Sequence, residues 1–248
     1  MNPIEEFSAE VKRNIDGLGR DEELKGRSLE WMIQAGGKHK YSYNFSWLGR
    51  PIIQYPQDIV AMQELVWKVQ PDLVIETGVA HGGSLILFAS LLELNAACGG
   101  PADAKVVGID IDIRPHNRQA IEAHPMARRI ELIQGSSIDD KVVAKVRGLA
   151  GNKRVLISLD SNHTHEHVLA ELGAYAPLVA KGSYCVVFDT VIEDTPAEYQ
   201  NCRPWGPGNS PKSAVREFLK SNPDFVIDEE MHNKLLITVA PGGFLKRI

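Results

Sequence analysis

The chain has 248 residues, 44% hydrophobic and 24% charged, with a formal net charge of −5 and a pI near 5.9. Such a composition predicts a globular protein with one large core, and its acidic balance argues against nucleic acid as a partner. Cys98, Cys185 and Cys202 show no C-x-x-C spacing, so we expect a reducing, cytoplasmic environment. We also expect neither an export signal nor a membrane span.

Residues 1–55 predict a helical cap followed by a lid segment. Four apolar residues recur at helical spacing in the first predicted helix (residues 4–16): Ile4, Phe7, Val11 and Ile15. The stretch DEELKGRSLEWMIQ predicts a second helix. The apolar stripe of the first helix suits packing on the core or on a second subunit, and we expect a homo-oligomer.

An aromatic segment separates these helices from the rest of the chain. Because it contains Gly and Pro, no single regular helix or strand can run through the whole segment. We predict two lids over a pocket, one from Tyr41 to Trp47 and one in the GPGNSP loop from Gly206 to Pro211. Core packing is the alternative for Phe45 and Trp47.

Residues 56–248 alternate between helices and apolar strands and predict a single compact unit. A helix from about Pro56 to Val69 leads into the strand LVIE at 73–76. Further strands are predicted at 106–110, 130–134, 155–160, 183–189, 225–228 and 234–240, and helices near 84–96, 116–123, 138–149, 164–176 and 211–220. Continuous apolar strands predict an α/β fold whose sheet is covered by helices on both faces.

Acidic residues end four of these strands: Glu76, Asp110, Asp160 and Asp189. Ligands of open α/β sheets bind beyond the carboxyl ends of the strands, so this edge is the predicted site. Solvated loop acids and helix caps remain the alternative explanation.

The strongest local motif is ETGVAHGGS, from Glu76 to Ser84, between a strand and a helix. Glycines at 78, 82 and 83 permit close ligand approach, and the helix N-terminus supplies free amides. The spacing G-x-x-x-G-G matches neither the dinucleotide fingerprint nor a P-loop. A glycine turn that serves packing alone is the alternative.

Asp110 follows this turn by about 30 residues, where an acid can accept both hydroxyls of a ribose. Gln134, Ser136 and Ser137 in the QGSS turn offer hydrogen bonds to an adenine edge, although Ser137 is equally suited to cap a helix. An adenosyl ligand fits this pair of features.

A histidine-rich run, LDSNHTHEHV, follows the fourth strand. His163, His165 and His167 cannot converge on zinc from one helix, because alternate residues face different sides. Asp160 and His163 are the predicted functional pair, and Asp189 can share a hard cation with Asp160. Surface or capping roles are predicted for the other two histidines, while a 2-His-1-carboxylate iron site stays open.

Several blocks of the chain resemble the cephalosporin hydroxylase / rhamnosyl O-methyltransferase family. They are YNFSWLGRPIIQYPQDIVAMQELVWKVQPDLVIETGVAHGGS, GIDIDIR, QGSSID, LDSNHTHEHVLAELGAYAPLV, GSYCVVFDT and RPWGPGNSPKSAVREFL. The resemblance covers roughly residues 40 to 245. It implies a Rossmann-like class I methyltransferase fold, a seven-stranded mostly parallel sheet that binds S-adenosylmethionine.

The resemblance also implies residue roles. Cofactor binding falls on Glu76, Thr77, Gly78, His81, Gly82, Ser84, Asp110, Ile111, Gly135, Ser136, Ser137 and Asp160. Asp160 and Asp189 match two of the acids that hold Mg²⁺ in related sugar O-methyltransferases. Where the family commonly shows Glu-Asp-Thr, this chain has Phe188-Asp189-Thr190. Thr190 is the predicted third metal ligand, and Asn162, Glu193 and Asp194 are alternatives. A site that binds metal weakly, or not at all, is the remaining alternative. Phe188 is instead a candidate wall of the substrate pocket.

We therefore expect an S-adenosylmethionine-dependent, Mg²⁺-assisted O-methyltransferase acting on a hydroxyl of a sugar or glycosylated small molecule. Asp160 or His163 would accept the hydroxyl proton. Two alternatives stay open: a methyltransferase of the same fold acting on a β-lactam, phenol or amine, and a non-catalytic cofactor-binding partner of another enzyme. Arg50 is predicted either to pair with a carboxylate near the cofactor or to lie on the surface.

Overall fold

The computed structural model describes residues 2–196 and 203–248. Cys202 lies outside these residues, whereas Cys98 is exposed, Cys185 is buried, and both are free thiols. Within the described ranges, no helix has both the length and the apolar character needed to cross a membrane.

Two helices form the N-terminal cap, α1 (Pro3–Arg20) and α2 (Glu22–His39). The first begins at a capping box between Asn2 and Glu5, and it packs against the late helix α9 (Glu229–Leu235). Its apolar stripe is divided: Ile15 is buried, whereas Ile4, Phe7 and Val11 are exposed. Homo-oligomerisation and the division of the chain at residue 55 stay predictions.

The aromatic segment folds into a 3₁₀ turn (Tyr41–Asn44) and an antiparallel hairpin of β1 (Phe45–Trp47) and β2 (Arg50–Ile52). The indole Nε1 of Trp47 donates to the Ser90 hydroxyl at 2.9 Å, and Phe45 and Trp47 pack against the core. Core packing is thus the structural role of these two aromatic residues.

The remaining elements alternate along the chain. They are α3 (Pro56–Val69), β3 (Leu73–Thr77), α4 (Gly83–Ala97), β4 (Lys105–Asp110), α5 (Pro115–Glu122), β5 (Ile130–Gln134), α6 (Asp140–Ala150), β6 (Val155–Leu159), α7 (His165–Tyr175), β7 (Tyr184–Val187), α8 (Pro211–Leu219), β8 (Phe225–Ile227), α9 and β9 (Phe244–Arg247). Short 3₁₀ turns lie at Pro125–Arg129, Ala176–Leu178 and Thr190–Asp194.

The seven strands of the main sheet run in the order β5-β4-β3-β6-β7-β9-β8. Pairing is parallel from β5 to β7, whereas β9 is antiparallel to both of its neighbours. Apolar clusters cover both faces of the sheet. The predicted Rossmann-like, seven-stranded and mostly parallel fold is confirmed. The strand order reverses between β3 and β6, so a crevice is expected at their carboxyl ends.

The strand predicted at 234–240 is wrong. Helix α9 occupies its first residues, because Asp228 caps that helix by accepting from the Met231 amide. The amide of Val239 donates to Asp58 of α3, which withdraws it from a strand ladder. The antiparallel strand forms only after Pro241, as β9.

Gly83 lies where β2 crosses the start of α4. A Cβ atom there would overlap the carbonyl oxygen of Pro51, which is backbone and cannot rotate away. We expect Gly83→Ala to lower the free energy of unfolding by about 1–3 kcal/mol, measured by urea denaturation. The matched control is Gly148→Ala, at an exposed helical glycine with nothing within 4 Å of an added Cβ, which should raise it by about 0.5–1 kcal/mol. Equal changes in the free energy of unfolding for Gly83→Ala and Gly148→Ala would contradict the close approach of β2 to α4.

Candidate functional site

The Gly-rich turn between β3 and α4 is fixed by side chains from three other segments. Asp110 accepts from the amides of Val79 and Ala80 at 2.8 and 3.3 Å. Arg50 donates through Nε and Nη2 to the carbonyl of His81, and Asn117 donates to the carbonyl of Ala80. The turn is therefore held in shape from outside.

Both predictions for Arg50 are corrected by this geometry. Its guanidinium contacts the His81 carbonyl and the side-chain oxygen of Asn117. Within the described ranges it therefore pairs with no carboxylate, and it does not lie free on the surface. Asn117 was not predicted, because nothing in its local sequence indicates a contact 37 residues away.

Glu76, at the end of β3, is fully buried, and neither of its carboxylate oxygens has a hydrogen-bond partner among the residues that the structure describes. Burial raises the pKa of Glu76 to about 8, with a further rise from Asp110. The Ser84 hydroxyl opposes the rise, although its geometry falls short of a hydrogen bond. A buried carboxyl without a partner is costly, so Glu76 is suited to receive a donor or cation from a ligand.

Two adjoining cavities, of about 360 and 310 Å³, open at the carboxyl edge of the sheet. Both are lined by Gly78, Asp110 and Ser161. The larger cavity also contains these predicted site residues: His81, Ser84, Asp160, His163 and Asp189. The smaller one contains Ile111, Ser136 and Ser137. Together they bring most of the predicted cofactor and catalytic residues to one place.

Other predicted residues line neither cavity. Glu76 and Thr77 are buried within β3, and Gly82 and Gly135 are held in turns with φ of 80° and 157°. The role of Gly82 is the tight turn itself, since an added Cβ would overlap Ile121. Direct cofactor contacts by these residues stay predictions.

An acid–histidine cluster lines part of the larger cavity. One ligand atom each from Asp160, His163 and Asp189 lies within 4.8 Å of the others, and His163 Nδ1 is 3.1 Å from Asp189 Oδ2. Burial raises the pKa of Asp160 well above its usual range, and the charge of Asp189 raises it further. Crowded carboxylates of this kind are stabilised by a cation.

Asp189 has a φ of 54°, in the left-handed region that L-residues rarely adopt. Asp and Asn tolerate this conformation better than most residues. Strain of this sort persists only where surrounding structure enforces it, and it is concentrated at functional sites.

The predicted sources of a third metal ligand are engaged elsewhere. The Thr190 hydroxyl donates to the Pro241 carbonyl, and Asn162 accepts from Thr164. Glu193 accepts from the Gly208 amide and the Ser210 hydroxyl, so it anchors the predicted lid at 206–211, and Asp194 pairs with Lys212. Glu193 and Asp194 thus bind outside the cluster, and the role of Thr190 stays a prediction.

Phe188 is 1% exposed and belongs to the hydrophobic core. It is therefore not a wall of the pocket. Trp205 instead packs against His163, edge to face at 4.8 Å between ring centroids, and the Arg203 guanidinium lies over its ring at 5.3 Å. Trp205 had no predicted role, because its approach to His163 depends on chain folding over about 40 residues.

His165 and His167, the other two histidines of the histidine-rich run, are not simple surface residues. His165 Nδ1 meets the Ser213 hydroxyl at 2.8 Å, which joins α7 to α8. His167 lines the smaller cavity, where Nε2 lies 3.1 Å from the Ser137 hydroxyl and 3.4 Å from buried Glu171. The surface assignment of His167 is corrected. The cluster at Asp160 contains one histidine, so the described residues do not form a 2-His-1-carboxylate site there.

Asp58 holds in place a segment that lines the larger cavity. It is fully buried and accepts from the Thr238 hydroxyl and from the amide of Val239, a residue that lines the larger cavity. Burial raises its pKa to about 7, the two hydrogen bonds oppose the rise, and Asp189 adds to it.

This raised pKa predicts a pH dependence of stability. Between pH 4 and 7 the unfolded chain has lost the Asp58 proton that the fold retains, so its contribution to stability falls as pH rises, by up to about 4 kcal/mol. Asp58→Asn, which preserves an acceptor for Val239, should flatten the fall in unfolding free energy between pH 5 and 8. Urea titrations at both values test this, with exposed Asp103→Asn as control. An unchanged slope would contradict it.

The chain is similar to known proteins over most of its length. The family model described as Rhamnosyl O-methyltransferase/CmcI matches residues 39–248. Rhamnosyl O-methyltransferases of Mycobacterium tuberculosis and Mycobacterium bovis are 32% identical over 221 residues, covering 84% of this chain and 83% of theirs. The Mycobacterium leprae protein is 29% identical over 220 residues, covering 84% and 88%.

Solved structures show the same fold. A CmcI structure with magnesium and S-adenosylmethionine has a TM-score of 0.57 at 21% identity, covering 83% of this chain and 77% of that one. A cofactor-bound protein from MTB has a TM-score of 0.51 at 17% identity, covering 80% of each chain. At these identities the likeness concerns the fold alone.

Proposed function

The chain belongs to the rhamnosyl O-methyltransferase/CmcI family and is a methyltransferase, and from this premise we propose its reaction: transfer of the S-adenosylmethionine methyl group to a hydroxyl of a sugar or glycosylated small molecule, assisted by Mg²⁺. The observation that carries the proposal is the continuity of the two cavities. Their shared lining joins the Gly-rich turn to the acid–histidine cluster.

The described residues fit the cofactor. Asp110 offers carboxylate oxygens at the junction of the cavities, where ribose hydroxyls can donate. Ser136, Ser137 and His167 surround the smaller cavity with small polar groups suited to adenine. A Cβ at Gly78 would overlap the backbone of Asp160, so only glycine allows this closeness of strand ends. The buried carboxyl of Glu76 has no hydrogen-bond partner within the described part of the chain, which suits a cationic group of the cofactor.

The acid–histidine cluster fits Mg²⁺, a hard cation that prefers carboxylate and water oxygens. Asp160 and Asp189 supply those oxygens. When bound, S-adenosylmethionine would supply an activated methyl group and Mg²⁺ would supply charge that acidifies an acceptor hydroxyl. Asp160 and Asp189 then orient the acceptor and hold the hydroxyl beside the methyl donor.

In the proposed reaction His163 accepts the hydroxyl proton. Its Nδ1 lies beside Asp189 Oδ2, an arrangement in which Nδ1 donates and Nε2 is left as the acceptor. Trp205 packs against the imidazole ring and holds its orientation. The geometry favours His163 as base over Asp160, whose oxygens are required by the cation.

Aromatic residues favour a sugar as the acceptor. Trp205 lies next to His163, and Tyr43 lines the larger cavity and is 55% exposed. Aromatic faces beside polar groups suit a ring that has apolar C–H faces and polar edges. The Arg203 guanidinium lies over the Trp205 ring and adds hydrogen-bond donors beside it.

The test combines binding with transfer. S-adenosylmethionine is titrated calorimetrically into metal-free protein with and without Mg²⁺, and methyl transfer from radiolabelled donor is then followed on rhamnosides, other glycosides, phenols, amines and β-lactams. Binding with Mg²⁺-dependent labelling of glycosides is expected. Labelling of a non-sugar acceptor alone would replace the proposed substrate class. Tight binding without transfer to any acceptor would favour a non-catalytic partner, and no binding would refute the proposal.

A further inference from the structure

We propose that Gln54 binds the amino-acid end of S-adenosylmethionine, its side-chain amide contacting both the α-carboxylate and the α-ammonium group. The inference rests on the proposed function, since it requires that the cofactor binds. It adds a specific residue, from the corner between β2 and α3, to the set that contacts the donor.

Gln54 is 3% exposed, and among residues 2–196 and 203–248 neither its amide nitrogen nor its amide oxygen has a hydrogen-bond partner. It nevertheless lines the larger cavity. Leaving a buried donor and acceptor unpaired is costly, and native proteins seldom retain such a group without a reason. Because a glutamine amide offers both functions side by side, the missing partner is a ligand with an acceptor and a donor close together.

The position of Gln54 indicates which end of the cofactor it meets. Its segment is attached to the Gly-rich turn: Arg50 binds the His81 carbonyl, and Pro51 and Ile52 lie against Gly83 at the start of α4. Gln54 follows directly, so it approaches the cavity from the side of this turn. The acid–histidine cluster, where the acceptor hydroxyl reacts, is built instead from segments that follow β6 and β7.

The surrounding groups match a zwitterion. The first amides of α4 have no intrahelical acceptor, and Gly82 at the N-cap provides no side-chain cap, so this end favours a carboxylate. In the proposed complex the ammonium group approaches Glu76, whose carboxyl is buried at the end of β3, just before the turn, and has no partner among the described residues. The Gln54 amide nitrogen can join the first group and its oxygen the second. An uncharged sugar acceptor would leave the Glu76 carboxyl without a cation.

The experiment compares ligands with and without the amino-acid end. Dissociation constants of S-adenosylmethionine and S-adenosylhomocysteine are measured by calorimetry for wild type, Gln54→Ala and Gln54→Met, and that of 5′-methylthioadenosine by competition against S-adenosylhomocysteine. We expect both Gln54 variants to weaken the two amino-acid ligands about 10- to 100-fold. Binding of 5′-methylthioadenosine should stay within about 2-fold.

The matched control is Gln57→Ala, in the first turn of α3. Gln57 also carries a buried oxygen without a partner, but it does not line the cavity, so its loss should leave all three ligands unchanged. Thermal unfolding provides a second readout. Ligand-free Gln54→Met should melt about 2–4 °C higher than wild type, because it removes two orphaned polar atoms, and should gain less from S-adenosylhomocysteine.

Unchanged affinity of Gln54→Met for S-adenosylmethionine would overturn the proposal. A loss of 5′-methylthioadenosine binding as large as that of S-adenosylmethionine binding would also overturn it, because it would indicate a general collapse of the cavity. A rise confined to the acceptor KM would place Gln54 at the acceptor instead. If wild type binds neither amino-acid ligand, the proposed function fails before Gln54 is judged, so the two failures are distinguishable.

Discussion

Asp189→Asn is expected to lower kcat for Mg²⁺-dependent methyl transfer about 10²- to 10⁴-fold, with little change in S-adenosylmethionine affinity. The variant removes the charge of one of two carboxylates within 4.8 Å of His163, and it replaces an acceptor-only group with an amide that also donates, so the His163 tautomer is held less strictly. Asparagine tolerates the left-handed φ of 54° at this position, so the backbone should be retained.

The measurement is the dependence of initial rate on Mg²⁺ concentration, together with calorimetric cofactor binding. Asp194→Asn is the matched control: it changes a nearby acid that pairs with Lys212 and lies outside the cluster. It should leave the Mg²⁺ dependence intact. Full activity of Asp189→Asn at the Mg²⁺ concentration that saturates wild type would show that Asp189 neither holds the metal nor supports His163.

The sequence predicted those parts of the site that depend on local order along the chain. Glu76, Asp110, Asp160 and Asp189 each follow an apolar strand, and parallel pairing brings such ends to one edge. The Gly-rich turn was predictable because its glycines, strand and helix are contiguous. In both cases the residues that determine the geometry are neighbours in sequence.

The missed features depend on contacts between distant segments. Gln54 reaches the cavity because β2 crosses the start of α4. Trp205 has its role because it packs against His163, and Asn117 because it donates to the Ala80 carbonyl. The apolar run at 234–240 was misassigned because a short apolar run does not distinguish a strand from a helix end. Asp58, about 180 residues earlier, captures the Val239 amide, and no local pattern carries that information.

Asp110→Ala is expected to weaken S-adenosylmethionine binding at least about 10²-fold. Two hydrogen bonds from ribose hydroxyls to a carboxylate contribute about 1.5–3 kcal/mol each, and tenfold in affinity corresponds to about 1.4 kcal/mol. The structure adds a second cause, since Asp110 also accepts from the amides of Val79 and Ala80 and so shapes the Gly-rich turn.

Asp110→Asn separates the two causes, because its carbonyl oxygen can still accept from the turn while the charge is lost. We expect about 10-fold weaker binding for Asn than for wild type, and a further loss for Ala. Asp112→Asn, an exposed acid two residues later, is the matched control and should bind as wild type does. If Asp110→Ala kept wild-type affinity in calorimetry, the junction of the two cavities would not hold the ribose, and the cofactor would have to lie elsewhere. If Asn and Ala were equally impaired, loss of the carboxylate charge, and not disorder of the turn, would be the dominant cause.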